Sequence, residues 1–151
     1  ILDHIGARQQ LSAVRVSPYA LWLDERNAAE LLAGADVIVD ALDTLPARMM
    51  LARAAAALGA PLVHGAIGGY TGQVTTIMPG DPGLEALYGS GPLPERGVET
   101  KLGNPAATPM MVAAWEIQET IKLLVGQGEV LRGRVLLMDA EFGEISEIQL
   151  L

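Results

Sequence analysis

The hydrophobic pattern of this chain changes period several times, and each change predicts an element. Tyr19 to Leu23 (YALWL) has the character of a strand, followed by a polar turn at Asp24-Glu25-Arg26. Asn27 and Glu30 stand at capping-box spacing, which predicts a short helix running to about Gly34. Asp36-Val-Ile-Val-Asp40 is a compact β-branched run, the pattern of a parallel strand buried on both faces. Leu45 to Leu58 is rich in Ala, Leu and Met, carries Pro46 in its first turn and stops at Gly59, all marks of a helix. A short strand is expected at Pro61 to His64 and a β-prone one within Tyr70 to Met78.

Residues Pro79 to Pro105 are dense in Gly, Pro and charge, so a long loop is expected there. Thr108 as N-cap and Pro109 at the first helical position begin a long helix with apolar Met111, Val112, Trp115, Ile121 and Leu124, Ile117 on its flank, and an end at Gly126. Arg134–Asp139 and Glu144–Leu150 alternate well enough for an antiparallel hairpin with one face on the core. The strand–helix alternation of the middle implies a parallel sheet with crossovers, and the closing hairpin makes it a mixed one. The expected class is α/β: a Rossmann-like mixed sheet with helices on both faces and a C-terminal antiparallel hairpin.

Composition narrows the chemistry. The 151 residues suit one domain, half of them are apolar, and 10 Lys+Arg against 18 Asp+Glu leave a formal net charge of −8. Without a Lys/Arg cluster, that balance offers no footprint for nucleic acid or an anionic membrane surface. No cysteine is present, which excludes disulfides, thiolate metal ligands and a thiol nucleophile on this chain. The chain opens Ile1-Leu-Asp-His-Ile-Gly6, without Met or a basic leader, in what resembles the end of a loop.

Candidate chemistry centres on Asp36-Val-Ile-Val-Asp40-Ala-Leu-Asp43-Thr44. Ligands of open α/β sheets lie outside the carboxyl ends of parallel strands, and Asp43 falls just past such an end. A carboxylate there either caps the following helix, as Thr44 could also do, or helps hold the Mg²⁺ of a nucleotide. Asp40 reads as an acid at a strand end facing solvent. Arg48, one turn into the helix, is placed to pair with Asp40 or Asp43. His64 stands at a strand end, as a structural residue or a ligand contact. Gly65 to Gly72 does not have the spacing of a phosphate loop and reads as backbone geometry.

The residues from Asp36 to Gly80 resemble the central stretch of the bacterial ubiquitin-activating-like family, the ThiF/MoeB/HesA adenylyltransferases. The resemblance is carried by an apolar strand ending in Asp40-x-x-Asp43, by Arg48 and Gly65, and by the strand Gly72-Gln73-Val74-Thr75. It continues through Gly103-Asn-Pro-Ala-Ala-Thr-Pro109, a helix ending Glu119-Thr-Ile-Lys122-Leu-Leu-Val-Gly126, and the closing hairpin, and so covers essentially the whole chain.

The family places Asn where this chain has Thr44, and many members carry a Cys pair where this chain has Gly83 and Ala86. The resemblance therefore implies a zinc-free variant. It also implies that the family's Gly-rich phosphate loop precedes Ile1, so that residues 1–151 form a single domain lacking its N-terminal phosphate-loop part. The Lys that follows the family's Ile-Gly segment has no counterpart after Gly6, as if residues were missing before Ala7; Arg8 is the nearest cation.

What the resemblance implies is a cytoplasmic, homodimeric, ATP- and Mg²⁺-dependent adenylyltransferase that activates the C-terminal carboxylate of a ubiquitin-like sulfur-carrier protein. Asp43 would organise Mg²⁺ and phosphate with Thr44 beside it, and His64, Gly65 and Arg48 would contact the carrier's tail. A scaffold that has lost nucleotide binding and a nicotinamide-dependent oxidoreductase are the alternatives; the Gly-Gln-Val-Thr strand and the closing hairpin speak against the latter.

Overall fold

The structure, a computed structural model, describes residues 14–92 and 103–150. The expected segment at Ala7 and the calls on Ile1 to Gly6 lie outside the described residues, as does the middle of the long Pro79–Pro105 stretch. In chain order the elements are α1 (Ala28–Leu31), β1 (Ile38–Asp40), α2 (Leu45–Leu58), β2 (Leu62–Gly68), β3 (Thr71–Ile77), α3 (Glu85–Tyr88), α4 (Ala107–Val125), β4 (Arg134–Asp139) and β5 (Glu144–Gln149).

The five described strands form one sheet in the order β1-β2-β3-β4-β5. Only β1 and β2 are parallel, joined by the α2 crossover, with Asp40 opposite His64. The expected run of parallel strands gives way after β2, because Gly69 and Tyr70 form a tight turn that sends β3 back antiparallel. β4 and β5 extend the sheet antiparallel, with Val74 opposite Leu136.

Helices cover both faces. On one face α2 brings Met49, Leu51, Ala52 and Ala55 onto Ile38 and Leu62, closed below by Leu84. On the other α4 lays Val112 against Val74, Leu136 and Met138. Fully burying a side chain such as Leu62 or Met138 is worth about 1.5–3 kcal/mol, so these two layers hold the helices onto the sheet. α2 matches its predicted span and ends at Gly59 in the left-handed region. The mixed α/β class with helices on both faces is the observed one.

Several local expectations are corrected. Tyr19 to Leu23 is not a strand: Tyr19 and Trp22 stand 68% and 87% exposed, and none of the described strands lies beside it to satisfy the backbone. Asn27 precedes α1 but makes no capping bond; its Oδ1 accepts from Asp24 N–H and its Nδ2 donates to the Trp22 carbonyl. Among the described strands β1 pairs on one side only, and Val39 is exposed rather than buried. α4 begins two residues earlier than Thr108 would set, with Ala106 at the N-cap and Thr108 buried inside. β5 is exposed along its whole length rather than facing the core on one side. Among the described residues no helix is long and apolar enough to cross a membrane.

Candidate functional site

The carboxyl end of β1 gathers side chains from five elements. Asp40, expected at a solvent-facing strand end, is instead only 1% exposed. Its Oδ1 accepts from Leu42 N–H at 2.9 Å, and its Oδ2 receives His64 Nδ1 at 2.6 Å and Arg48 Nη1 at 3.3 Å. Parallel register explains the meeting with His64, because residues paired across two strands project to the same face. Arg48 comes from the first turn of α2 and also donates to the Gly65 carbonyl, tying the end of β1 to the middle of β2, which runs on to Gly68 so that His64 is not at a strand end as expected. Of its two expected acidic partners, it pairs with Asp40.

His64 is fully buried, with both ring nitrogens engaged: Nδ1 on Asp40 and Nε2 on the Tyr88 hydroxyl at 2.9 Å. Burial holds its pKa below the usual value, against the pull of Asp40, so the ring is neutral near pH 7. The Tyr88 ring meets the imidazole edge to face, and its hydroxyl also takes the Gln73 amide at 2.6 Å. Burial pushes the Tyr88 phenol up to about 12. Tyr88 belongs to α3, within the segment expected as loop. A sequence reading had no signal for it, since α3 is one turn long.

Asp43 lies in the turn between β1 and α2 and is exposed. Thr44 occupies the N-cap position of α2 without a side-chain capping bond, so neither residue is committed to the helix end in the way a cap would be. Asp43 therefore presents an oxygen donor to solvent at the carboxyl end of a parallel strand. An open apolar groove of 350 Å³ at β1 is lined by Leu23, Leu32, Val37, Val39 and Leu42 among others. Gly83 sits in a turn and Ala86 on α3, both away from β1 in the chain. No group of three or more His, Asp or Glu suited to a metal ion occurs among the described residues.

On the opposite face of the sheet, Gly65 and Gly72 let α4 approach the backbone. A β-carbon at Gly65 would stand 2.6 Å from Val112 Cγ1 and from the Glu116 carboxyl, and one at Gly72 would stand 2.4 Å from Val112 Cγ2. Glu116 is thus sealed in, and its Oε1 has no hydrogen-bond partner. Burial first, then the nearby Asp40 charge, pushes its carboxyl up to about 7, against the opposing influence of Arg48. One turn on, Glu119 is fully buried and accepts from Thr76 Oγ1 at 2.6 Å, from Leu131 N–H at 2.7 Å and from Lys122. Sequence reasoning passed over both acids as buried groups. Their spacing from Val112, four residues for Glu116 and seven for Glu119, places both on the same buried stripe of the helix and was the available signal.

A family model described as the ThiF family matches residues 7–150. The chain belongs to the ThiF family. Among curated proteins it is 38% identical over 128 residues to the SAMP-activating enzyme E1 of Haloferax volcanii, covering 84% of this chain and 47% of that protein. It is also 38% identical over 134 residues to the sulfur carrier protein adenylyltransferase of Thermus thermophilus, covering 84% of this chain and 49% of that one. The chain thus spans about half the length of these ThiF-family relatives. Among solved structures, E. coli MccB superimposes with a TM-score of 0.75 at 13% identity, over 99% of this chain and 46% of MccB, a likeness of fold.

Proposed function

We propose that this chain is part of a cytoplasmic ATP-dependent adenylyltransferase that activates the C-terminal carboxylate of a ubiquitin-like sulfur-carrier protein. The observation that carries the reading is Asp43: an uncapped carboxylate past the end of β1, buttressed by a buried Asp40–Arg48 pair, in a family whose relatives are named for this activity. In adenylation the carrier carboxylate attacks the α-phosphorus of ATP, and pyrophosphate leaves with the electron pair of the broken P–O bond. No side-chain nucleophile is required. The enzyme's task is to align two anions and offset their repulsion.

The residues present fit that task. An exposed single carboxylate suits Mg²⁺, a hard cation that takes one or two protein carboxylates and completes its sphere with water and phosphate oxygens. Asp43 would hold it, with the Thr44 hydroxyl beside it, and the bound ion would supply charge neutralisation. Arg48 and the Gly65 backbone lie beside the end of β1, where the carrier's tail would approach. His64, being enclosed, serves there from beneath. No zinc belongs to this reading. A homodimer does, through the outward face of α4, where Met110, Ile117, Ile121 and Leu124 are exposed at helical spacing.

The test is ATP–pyrophosphate exchange by the full-length protein with a panel of purified ubiquitin-like carriers. Exchange with one carrier, lost in Asp43→Ala, is the expected result. No exchange with any carrier, together with an Asp43→Ala variant that binds MgATP as the wild type does, overturns the reading.

A further inference from the structure

Asp40 divides its two carboxylate oxygens between two tasks. Oδ1 accepts the Leu42 N–H at 2.9 Å and so closes the turn that leads out of β1 into Asp43. Oδ2 is held from behind by His64 and Arg48. The series runs further back. Since a carboxylate only accepts, His64 Nδ1 must donate to it, and in the neutral ring Nε2 is then an acceptor. The Tyr88 hydroxyl therefore gives its proton to Nε2, and its oxygen accepts the Gln73 amide. Every direction in the series follows from the one before it. The participants come from β3, α3, β2 and β1, far apart in sequence, and the last of them is buried beside the exposed turn.

We infer that His64 and Asp40 form a positioning series that fixes the β1–α2 turn and thereby aims Asp43, with Tyr88 and Gln73 serving to hold the His64 ring in the tautomer that donates from Nδ1. The inference rests on the proposed role of Asp43, and it adds that His64 and Tyr88 act through Asp40 rather than on substrate. Tyr88 lies on the segment that follows β3, so the placement of that segment and of the Asp43 turn are joined by hydrogen bonds through the sheet.

The two isosteres of histidine separate this role from space filling. Asn in place of His64 keeps a donor at the Nδ1 position, toward Asp40, but cannot reach Tyr88. Gln keeps a group at the Nε2 position, toward Tyr88, but offers Asp40 nothing from that side. Amide hydrogen exchange at Leu42 reads the turn directly in the full-length protein without nucleotide. His64→Asn should leave it near the wild-type rate, whereas His64→Gln should speed it about tenfold, the effect of weakening one hydrogen bond to a charged group.

Calorimetry with ATP, in Mg²⁺ and in EDTA, should follow the same order: the Mg²⁺-dependent gain in affinity is kept in His64→Asn and reduced about tenfold in His64→Gln. Space filling predicts the reverse order, because Gln is nearer His in size, and that order or equal behaviour of the two variants overturns the inference. In the wild type, ¹⁵N spectra of His64 should show the neutral ring protonated at Nδ1; protonation at Nε2 overturns it without any variant. Asp43→Ala separates the two ideas. If it binds MgATP normally, the role given to Asp43 fails and the Asp43 end of the series fails with it, while unchanged Leu42 exchange in His64→Gln with a defective Asp43→Ala sinks the positioning series alone.

Discussion

Glu116 of α4 lies against the backbone of Gly65 in β2, so close that a β-carbon on the glycine would stand 2.6 Å from its carboxyl carbon. Val112, one turn earlier, fills the notch between Gly65 and Gly72. The glutamate can swing aside, but β-branched Val112 is stiff at χ1 and hemmed by both strands.

Gly72→Ala should therefore destabilise the fold by about 1–3 kcal/mol, the usual penalty of overpacking. Val112→Ala alone leaves a cavity and costs about 2 kcal/mol. Combined, the two changes should cost clearly less than their sum, since each removes what the other suffers from. Urea denaturation of the three variants measures the coupling, and strict additivity would contradict the close contact.

Glu116 makes stability depend on pH with a defined sign. Its carboxyl has a pKa of about 7 in the folded protein against an ordinary 4.5, so the folded state holds its proton more tightly. The favourable contribution is complete below pH 4.5 and is lost as pH rises through about 7. Glu116→Gln should abolish that loss, leaving the variant more stable than wild type at pH 8 by roughly 1–3 kcal/mol and nearly equal to it at low pH. Thermal melts across pH 4 to 8 decide it.

His64 titrates in the opposite sense. Burial lowers its folded pKa below the unfolded value of 6.5, so its contribution is present above that pH and lost as pH falls through the folded pKa. In the Glu116→Gln background, stability should be level above pH 6.5 and decline below it. A decline persisting in the additional His64→Asn variant, at the same pH and of the same size, would assign it to other groups.

Glu119→Ala should be among the most damaging single changes. It strips the acceptor from the Leu131 N–H and the Thr76 hydroxyl inside the protein and leaves Lys122 without its carboxylate. Breaking a buried pair from one side costs roughly 3–5 kcal/mol, whereas Glu119→Gln, which keeps an acceptor oxygen, should cost about half as much. Equal losses in the two variants would mean that volume, not the acceptor, matters at this position.

Local pattern sufficed where a segment's structure depends on its own residues. Leu45–Leu58 is helical because its residues favour helix and Pro46 and Gly59 bracket it. The β4–β5 pair follows from alternation across a short turn. Pattern failed where the outcome depended on neighbours. YALWL is strand-like in composition but none of the described strands lies beside it, and among them β1 is flanked on one side only, with Val39 exposed. Asp43 and Arg48 were legible as chemistry because they sit at a strand end and the helix start after it. Tyr88 and Glu116 were not, since one lies on a single helical turn and the other resembles any surface acid.

The sequence by itself determined the mixed class of the sheet, the position of α2, the body of α4 and the acidic turn at Asp43. These are properties of local periodicity, composition and one strand end. Only the tertiary structure decided that Asp40 is buried, that His64 and Tyr88 bind in series behind it, and that Glu116 is trapped above Gly65. Those facts arise from parallel register and from helix–sheet distance. Both join residues tens of positions apart, and whether a carboxylate or imidazole is charged depends on what such distant residues do to its access to water.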